Sequence, residues 1–411
     1  MRLYAFEGIH YTPQAGENAG ELAAPPYDQI NDSLRDRYHA RSPHQFVHLS
    51  KPVAPEGGDP YRFAAALHHK WLREGIIARD PRPAIYPYVI ELNAGDQSGD
   101  ELGGERLGVL GLVGYEDPSV IRPHEQTLDK PLADRTALLE AMRVDLEPVL
   151  LLSEDHGQLD VLLREDLQGQ EPLVRHRDAD GHVHAVYRID DPGRIAQYRD
   201  VLDVPSAIAD GHHRYKVGQR FAAEHHAAPD TAAAAKLAVV TSLDSPALTI
   251  DPIHRAFKAP IDVTRLADLA ATAEPFAGPN GKRTGHAFAA AVAAAPQPAL
   301  GLWVLGREPE VWRFASPRLA VEVFQDTLLP ALGLRPEASS DGTVIYRSDP
   351  AELWSQVAAG DLGTGVWLPP MQPAAFAAAI ADGQMLPAKS TRFLPKVMSG
   401  LVWADHDSKV L

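Results

Sequence analysis

Two rhythms of apolar positions run along this chain. At Phe63, Leu67, Trp71 and Leu72 the spacing is helical, which predicts a helix opened by Asp59-Pro60 and closed near Gly75. Short apolar runs instead predict strands at residues 2–6, 84–92, 106–115, 148–152, 183–189, 205–209 and 237–243. Residues 93–105, rich in Gly and Asp between two such runs, predict a solvated hairpin loop. Adjacent Pro25 and Pro26 forbid helix and hold an extended segment that fixes Tyr27 and Asp28. Asp32 or Ser33 is the expected cap of a helix through Tyr38. Asp129-Lys130-Pro131 marks the first turn of a helix reaching Met142. Around Gly211 the order is apolar strand, glycine turn, amphipathic helix from Tyr215 to His226.

From about residue 260 the character changes. Ala-rich stretches at 263–273 and 286–295 are interrupted by Leu, Phe and Val at helical spacing, which predicts packed helices rather than low-complexity sequence. Strands at 299–305, 311–314 and 365–368 and a helix at 373–381 complete a second α+β unit. The expected organisation is α+β, with an N-terminal domain over residues 1–258 and a C-terminal domain over 259–411 and no internal repeat.

Composition narrows what such a chain does. With 411 residues and 45% hydrophobic content it has material for two or three packed units. Thirty-nine basic residues against 55 acidic ones leave a formal charge of -16, which repels a phosphate backbone and argues against nucleic acid as a partner. The absence of cysteine removes disulfides, thiolate nucleophiles and thiolate metal sites. No run approaches the roughly 20 apolar residues that span a bilayer, and Arg2 and Glu7 precede no apolar signal segment. A cytoplasmic protein without a membrane partner is expected; the oligomeric state is unknown.

Several signatures are missing. Gly278-Pro279-Asn280-Gly281-Lys282 lacks the spacing and the hydroxyl residue of a phosphate-binding Walker loop, and reads as a turn before a helix. No Gly-x-Gly-x-x-Gly, Gly-x-Ser-x-Gly or His-Glu-x-x-His occurs.

The densest chemistry is Asp210-Gly211-His212-His213-Arg214, where a strand gives way to a helix. A helix N-terminus offers unpaired N–H groups to an anion, Gly211 permits close backbone approach, and Arg214 supplies a fork for phosphate oxygens. Asp210 is expected to hold Mg2+, which takes one or two carboxylates together with substrate phosphates. The bland alternative makes Asp210 a helix cap beside two solvated histidines. His124 and Glu125 of Pro123-His124-Glu125-Gln126 stand between a strand and a helix, placed for proton transfer: Glu125 as base toward a hydroxyl, His124 as donor to the transferred group. The alternative pairs Glu125 with Lys130 or Arg135 on a surface loop. Lys389, Ser390, Thr391 and Arg392, with Lys396 close behind, form a second phosphate-type loop, and Asp251-Pro252-Ile253-His254-Arg255 is a weaker candidate. His68-His69 and His225-His226 lie on helices, where neighbours diverge by about 100° and do not chelate; most remaining histidines are expected at the surface.

Pro25-Pro26-Tyr27-Asp28, Pro123-His124-Glu125-Gln126-Thr127 with Asp134-Arg135, Ala209 through Tyr215, Ile253-His254-Arg255, and Lys389-Ser390-Thr391 through Pro395-Lys396 to Gly400-Leu401-Val402 stand in an order that resembles bacterial proteins of the Domain of Unknown Function 1015 family. That resemblance spans nearly the whole chain and implies no established activity. Three of the motifs are also similar to those of the archaeal free serine kinases, which share a ParB-like and sulfiredoxin-like core. By that likeness the fold would be this core with an N-terminal extension and a second α+β domain. Glu125 would be the base, Asp210 to Arg214 would hold nucleotide phosphates and Mg2+, and Lys389 to Arg392 would bind phosphate. The chain departs from those kinases in its length, in residues 1–122 ahead of the Pro-His-Glu-Gln loop, and in the long insertion after it.

Three functions follow as expectations. The first is a nucleotide- and Mg2+-dependent phosphotransferase using ADP or ATP on a small hydroxyl substrate such as free L-serine, with Asp28, His48 or Arg135 as candidate clamps for the acceptor. The second is a nucleotide-binding regulatory protein without transfer chemistry. The third is a metal-dependent hydrolase built on His124, Glu125, His212 and His213.

Overall fold

The computed structural model describes residues 1–16, 19–93, 104–125, 129–266, 269–339, 341–408 and 410. By its internal contacts the chain divides into two units, Met1–Leu248 with Pro395–Leu411, and Thr249–Leu394. This differs from the division expected at residue 258. The second unit begins and ends on one antiparallel ladder, Thr249–Asp251 against Arg392–Leu394, and the segment after it returns to the first unit. There Trp403 is fully buried against Tyr11, Phe46 and His68, its indole N–H donating to His68 Nε2 at 3.1 Å.

Nine strands of the first unit form one mixed sheet: β1 (Leu3–Tyr4), β2 (Tyr86–Glu91), β3 (Glu105–Gly114), β4 (Ile121–Arg122), β5 (Val149–Ser153), β6 (Val174–Arg177), β7 (Val183–Val186), β8 (Ser206–Asp210) and β9 (Ala235–Ser242). Their order is β4-β8-β5-β9-β3-β2-β7-β6, with β1 also on β3. The β4/β8 and β5/β9 pairs are parallel and the others antiparallel. All seven apolar runs predicted as strands in this part of the chain fall in the sheet. Strands buried on both faces carry such near-continuous apolar runs, as in β5 and β9. The expected hairpin loop falls largely on residues 94–103, outside the described residues, while β2 and β3 on either side of it pair antiparallel.

Helices α1 (Asp32–Arg41), α2 (Pro60–Arg73), α3 (Asp129–Met142), α4 (Gln158–Asp166), α5 (Pro192–Leu202) and α6 (His212–Glu224) complete this unit with shorter turns. Asn31, rather than Asp32 or Ser33, caps α1, its side chain accepting from Leu34 N at 2.9 Å. In α2 the buried face is Ala64, His68 and Trp71, while Phe63, Leu67 and Leu72 are half-buried. His68 is therefore a core side chain and not the surface residue expected, because its ring nitrogen has an indole partner inside.

The second unit holds an antiparallel six-stranded sheet of β10 (His254–Phe257), β11 (Thr272–Pro275), β12 (Ala299–Val304), β13 (Glu310–Arg313), β14 (Ile345–Arg347) and β15 (Thr364–Trp367), in the order β11-β13-β12-β15-β10-β14. Helices α7 (Gly285–Ala294) and α9 (Pro373–Ala381) match the expected Ala-rich and terminal segments, and α8 (Pro350–Ala359) is a further helix that was not among the expected ones. The helix expected over 263–273 does not form. Asp262 caps a single turn at Val263–Arg265, residues 267–268 lie outside the described residues, and Thr272–Pro275 is an exposed edge strand. Alanine favours helix only weakly, and pairing with β13 prevails; Pro275, which lacks an N–H, is tolerated at an edge.

Candidate functional site

The parallel pairing of β4 with β8 sets Ile121 opposite Ser206 and Arg122 opposite Ala207. The chain leaving β4 through Pro123-His124 therefore runs beside the chain leaving β8 through Asp210-Gly211. His124 is fully buried, with Nδ1 2.7 Å from the carbonyl oxygen of Ile208. Its backbone N–H donates to His212 Nε2 at 3.4 Å across 88 residues of sequence, and the two rings meet edge to face at 4.6 Å. Burial pushes the His124 imidazole down to about 4; burial, then the neighbouring His124, holds His212 well below the usual range. Both rings are neutral at pH 7. A carbonyl partner places the His124 proton on Nδ1, and a donating N–H leaves His212 Nε2 bare. The one ring proton of His124 is thus directed at Ile208, which holds the ring beside β8. Glu125, the next residue, is half-buried; Gln126 lies outside the described residues.

Gly211 is the cap of α6, at φ 91° and ψ 28°, and as a glycine it brings no capping side chain of its own. A left-handed cap of this kind needs glycine, and a Cβ there would lie 2.8 Å from Val149 Cγ1 and 3.0 Å from Arg214 Nε. Asp210 is not the helix cap. Its Oδ2 accepts from Arg214 Nη2 at 2.7 Å and its Oδ1 accepts from Lys396. Burial raises the Asp210 pKa, but Lys396 and Arg214 outweigh it and hold the group at about 2. Arg214 is itself buried, with Nη1 on the carbonyl of Pro148. His212 is buried and His213 half-buried, so neither is a freely solvated side chain.

Lys396 reaches Asp210 because its segment is held on both sides. Arg106, buried in β3, donates through Nη2 to Pro395 O at 2.6 Å, and the Met398 N–H donates to Tyr88 Oη at 3.1 Å. Tyr88 Oη stands 2.6 Å from His184 Nδ1, whose Nε2 is 3.1 Å from Asp178. Burial pushes the Arg106 guanidinium down to about 10. Of these residues only Lys396 drew notice in the sequence; Arg106 stands beside Glu105 at the very start of β3, ahead of its apolar run, where a charge gives no separate signal.

Among the candidate clamps, Arg135 is buried, donates to Ser50 O at 2.8 Å and lies over the Tyr27 ring at 4.1 Å. Tyr27 N–H donates to Glu147 Oε1 at 3.0 Å, which realises the fixed position expected from the two prolines. Asp28 is exposed, and His48 is half-buried with Nε2 3.1 Å from Ser42 O.

Lys389, Ser390, Thr391 and Arg392 belong to the second unit. Lys389 has φ 60°, Ser390 is buried with its hydroxyl donating to Pro387 O, and Arg392 opens the strand paired with Asp251. Arg255, buried between the rings of Phe324 and Tyr346, donates to Lys389 O at 3.0 Å. His254 Nδ1 accepts from Leu368 N at 3.1 Å, and burial keeps it neutral with a pKa of about 3. Arg255 therefore supports this loop from within, while His254 is tied to the residue that follows β15.

Among the described residues no three His, Asp or Glu side chains are grouped to hold a metal ion, and no helix is long and apolar enough to cross a membrane. Asp210 would offer Mg2+ a hard oxygen ligand if phosphate oxygens supplied the rest and Lys396 moved to them.

No curated protein matches the chain. Among solved structures, it is similar to a conserved hypothetical protein from Pyrococcus furiosus, at 13% identity and a TM-score of 0.38 over 73% of this chain and 94% of that one. A free serine kinase in complex with AMP is 16% identical, with a TM-score of 0.38 over 72% of this chain and 92% of that one. C-terminally truncated SbnI from Staphylococcus aureus is 13% identical, with a TM-score of 0.38 over 70% and 85%. The model of the family described as "Protein of unknown function (DUF1015)" matches residues 3–304, and the chain belongs to that family.

Proposed function

We propose that this protein is a nucleotide- and Mg2+-dependent phosphotransferase that acts on a small hydroxyl substrate, with free L-serine as the first candidate acceptor and ADP or ATP as donor. The observation that carries this reading is the head of α6, a 13-residue helix entered through left-handed Gly211, a cap that adds no side chain over the backbone N–H groups of the first turn. Such N–H groups and the helix dipole suit phosphate oxygens. Arg214 and Lys396 bring two cations to the same place, now balanced by Asp210. An arriving phosphate would draw Lys396 to itself and leave Asp210 to hold Mg2+, which would screen charge on the transferred group.

The acceptor oxygen would bond to the terminal phosphorus while Glu125 takes its proton. The bond from that phosphorus to the nucleotide would break, its electron pair leaving with the nucleotide. His124 and His212, kept neutral, would fix the Glu125 loop against the helix without adding charge. The motif likeness to free serine kinases supports the same assignment. Lys389 to Arg392 are proposed to bind phosphate, and the core is proposed to be ParB- and sulfiredoxin-like.

The test is incubation of the protein with Mg2+, ADP or ATP and L-serine, read by mass spectrometry for phosphoserine. Glu125→Gln is expected to retain nucleotide binding and lose at least 100-fold in turnover, in line with the ~10²–10⁴ that a general base contributes. Full turnover in that variant removes Glu125 as base. Nucleotide binding with no product from any hydroxyl acceptor would leave a binding protein without transfer chemistry.

A further inference from the structure

One face of the first sheet carries a line of polar side chains from the end of β6 to β3. Register sets His184 opposite His176 on one side and Ile90 on the other, and Ile90 opposite Arg106. Side chains alternate along a strand, so His184, Tyr88 and Arg106 share that face. The bonds along the line run in a single direction. Asp178 is kept ionised: burial raises its pKa, but the bond from His184 outweighs this and holds it below the ordinary range. A carboxylate only accepts, so the His184 proton is on Nε2, 3.1 Å from Asp178 Oδ2. Burial pushes this imidazole down to about 4, which leaves Nδ1 bare at pH 7. The Tyr88 hydroxyl, 2.6 Å away, therefore donates to Nδ1, and its oxygen accepts the Met398 N–H at 3.1 Å. Asp178 is fixed in turn by the N–H groups of Asp180 at 3.0 Å and His182 at 2.9 Å.

A single backbone carbonyl would satisfy the Met398 N–H. The line adds strength to that bond, because the carboxylate polarises the imidazole and the imidazole polarises the hydroxyl. Tyr88 and His184 are buried, where such bonds are not diluted by water. Val397 and Met398 are buried too, but apolar contact is non-directional and does not fix where the segment lies along the sheet. Hydrogen bonds do, and they flank one residue: Tyr88 holds the segment at Met398 and Arg106 holds it at Pro395, with Lys396 between. Lysine has a flexible four-carbon stem, so its ammonium is aimed only as well as its backbone is held.

We infer that Tyr88, acting through His184 and Asp178, is the positioning residue that sets Lys396 at the head of α6. Tyr88 is itself buried and meets no ligand. The inference deepens the phosphotransferase reading, and rests on it only in taking Lys396 to turn from Asp210 to phosphate.

The experiment is brief acetylation of the full chain followed by peptide mass spectrometry, with calorimetric titration of Mg2+-ADP on the same proteins. Tyr88→Phe keeps the ring and removes the oxygen. Lys396 displaced from Asp210 loses the partner that keeps it protonated, and is expected to label at least threefold faster than in the unaltered protein. Buried Lys236, whose Nζ donates to Asp145, is the control and is expected to label at an unchanged rate. A rise there reports unfolding, and His184→Leu then takes the place of Tyr88→Phe. Joining His184→Leu to Tyr88→Phe is expected to add nothing, because His184 acts only through Tyr88. Lys396 labelled at the parent rate in a folded variant, or an additive rise in the double variant, overturns the inference. ADP is expected to bind Tyr88→Phe at least tenfold more weakly. Faster labelling of Lys396 with no ADP binding by the unaltered protein, or with equal affinity in both, would instead sink Lys396 as a phosphate ligand and leave Tyr88 as its positioning residue.

Discussion

Lys396 and Asp210, separated by 186 residues of chain, form an ion pair at the head of α6. The folded carboxylate has a pKa near 2 against an ordinary 3.8. A depressed carboxylate stabilises the fold above its unfolded value, and that contribution is lost as pH falls from 3.8 towards 2. Lys396→Met is expected to raise the Asp210 pKa, flatten the stability profile in that window and cost about 1–3 kcal/mol at pH 7. Carboxyl NMR titration and urea unfolding measure the two effects; an unmoved Asp210 pKa would show that Arg214 alone sets it.

The buried histidines act over a different range. His124 stays neutral in the fold down to about pH 4, while in the unfolded chain it takes up a proton below about 6.5. The unfolded state therefore binds more protons between these values, and stability falls as pH drops from 6.5 to 4, at about 1.4 kcal/mol per pH unit for one such group. His124→Gln removes one of these groups. Unfolding midpoints at pH 7 and pH 5 should differ less in the variant than in the unaltered protein; an identical difference would mean that His124 is not held neutral by the fold.

Gly211→Ala combines a left-handed backbone with a Cβ placed 2.8 Å from Val149 and 3.0 Å from Arg214. A loss of about 1–3 kcal/mol is expected from the strained residue, together with weaker nucleotide binding because Arg214 must shift. Thermal unfolding and a nucleotide titration check this prediction. An alanine variant as stable as the parent would place Gly211 outside the strained turn described.

In the second unit Arg255 connects an aromatic pocket to the Lys389 carbonyl. Arg255→Met should preserve the pocket's packing while freeing the loop. Faster hydrogen exchange confined to residues 387–392 and their near neighbours is the expected result; exchange unchanged there would show that the loop is held by its own turn.

Much of this architecture could be read from periodicity. Apolar runs such as 149–152 and 237–240 predict buried strands because nothing polar interrupts them, and Asp210-Gly211 predicts a turn because glycine alone enters a left-handed helix cap at no cost. Strands β4 and β6 were not legible: one is two residues long and the other alternates arginines with half-buried residues at a sheet edge. The stretch at 263–273 misled because alanine's helical preference is small beside a ladder supplied by β13. At the site, local motifs located Asp210, His212 and Arg214, but not that Lys396 pairs with Asp210 or that His212 meets His124. Arg106 and Lys236 occupy strands whose burial depends on the whole sheet, and Glu147 acquires its partners from Tyr27 and Arg135, far from it in sequence. Such pairings are properties of topology, which local spacing does not encode.

The return of residues 395–411 to the first unit also sets an order of assembly. During synthesis Thr249–Leu394 emerges before Lys396 and Trp403, so the strands of the first sheet are made well before its last interior side chains arrive. Until then Asp210 has Arg214 but not Lys396, and His68 lacks its indole partner. The nascent first unit must wait through the production of an entire second unit before the head of α6 is electrically complete.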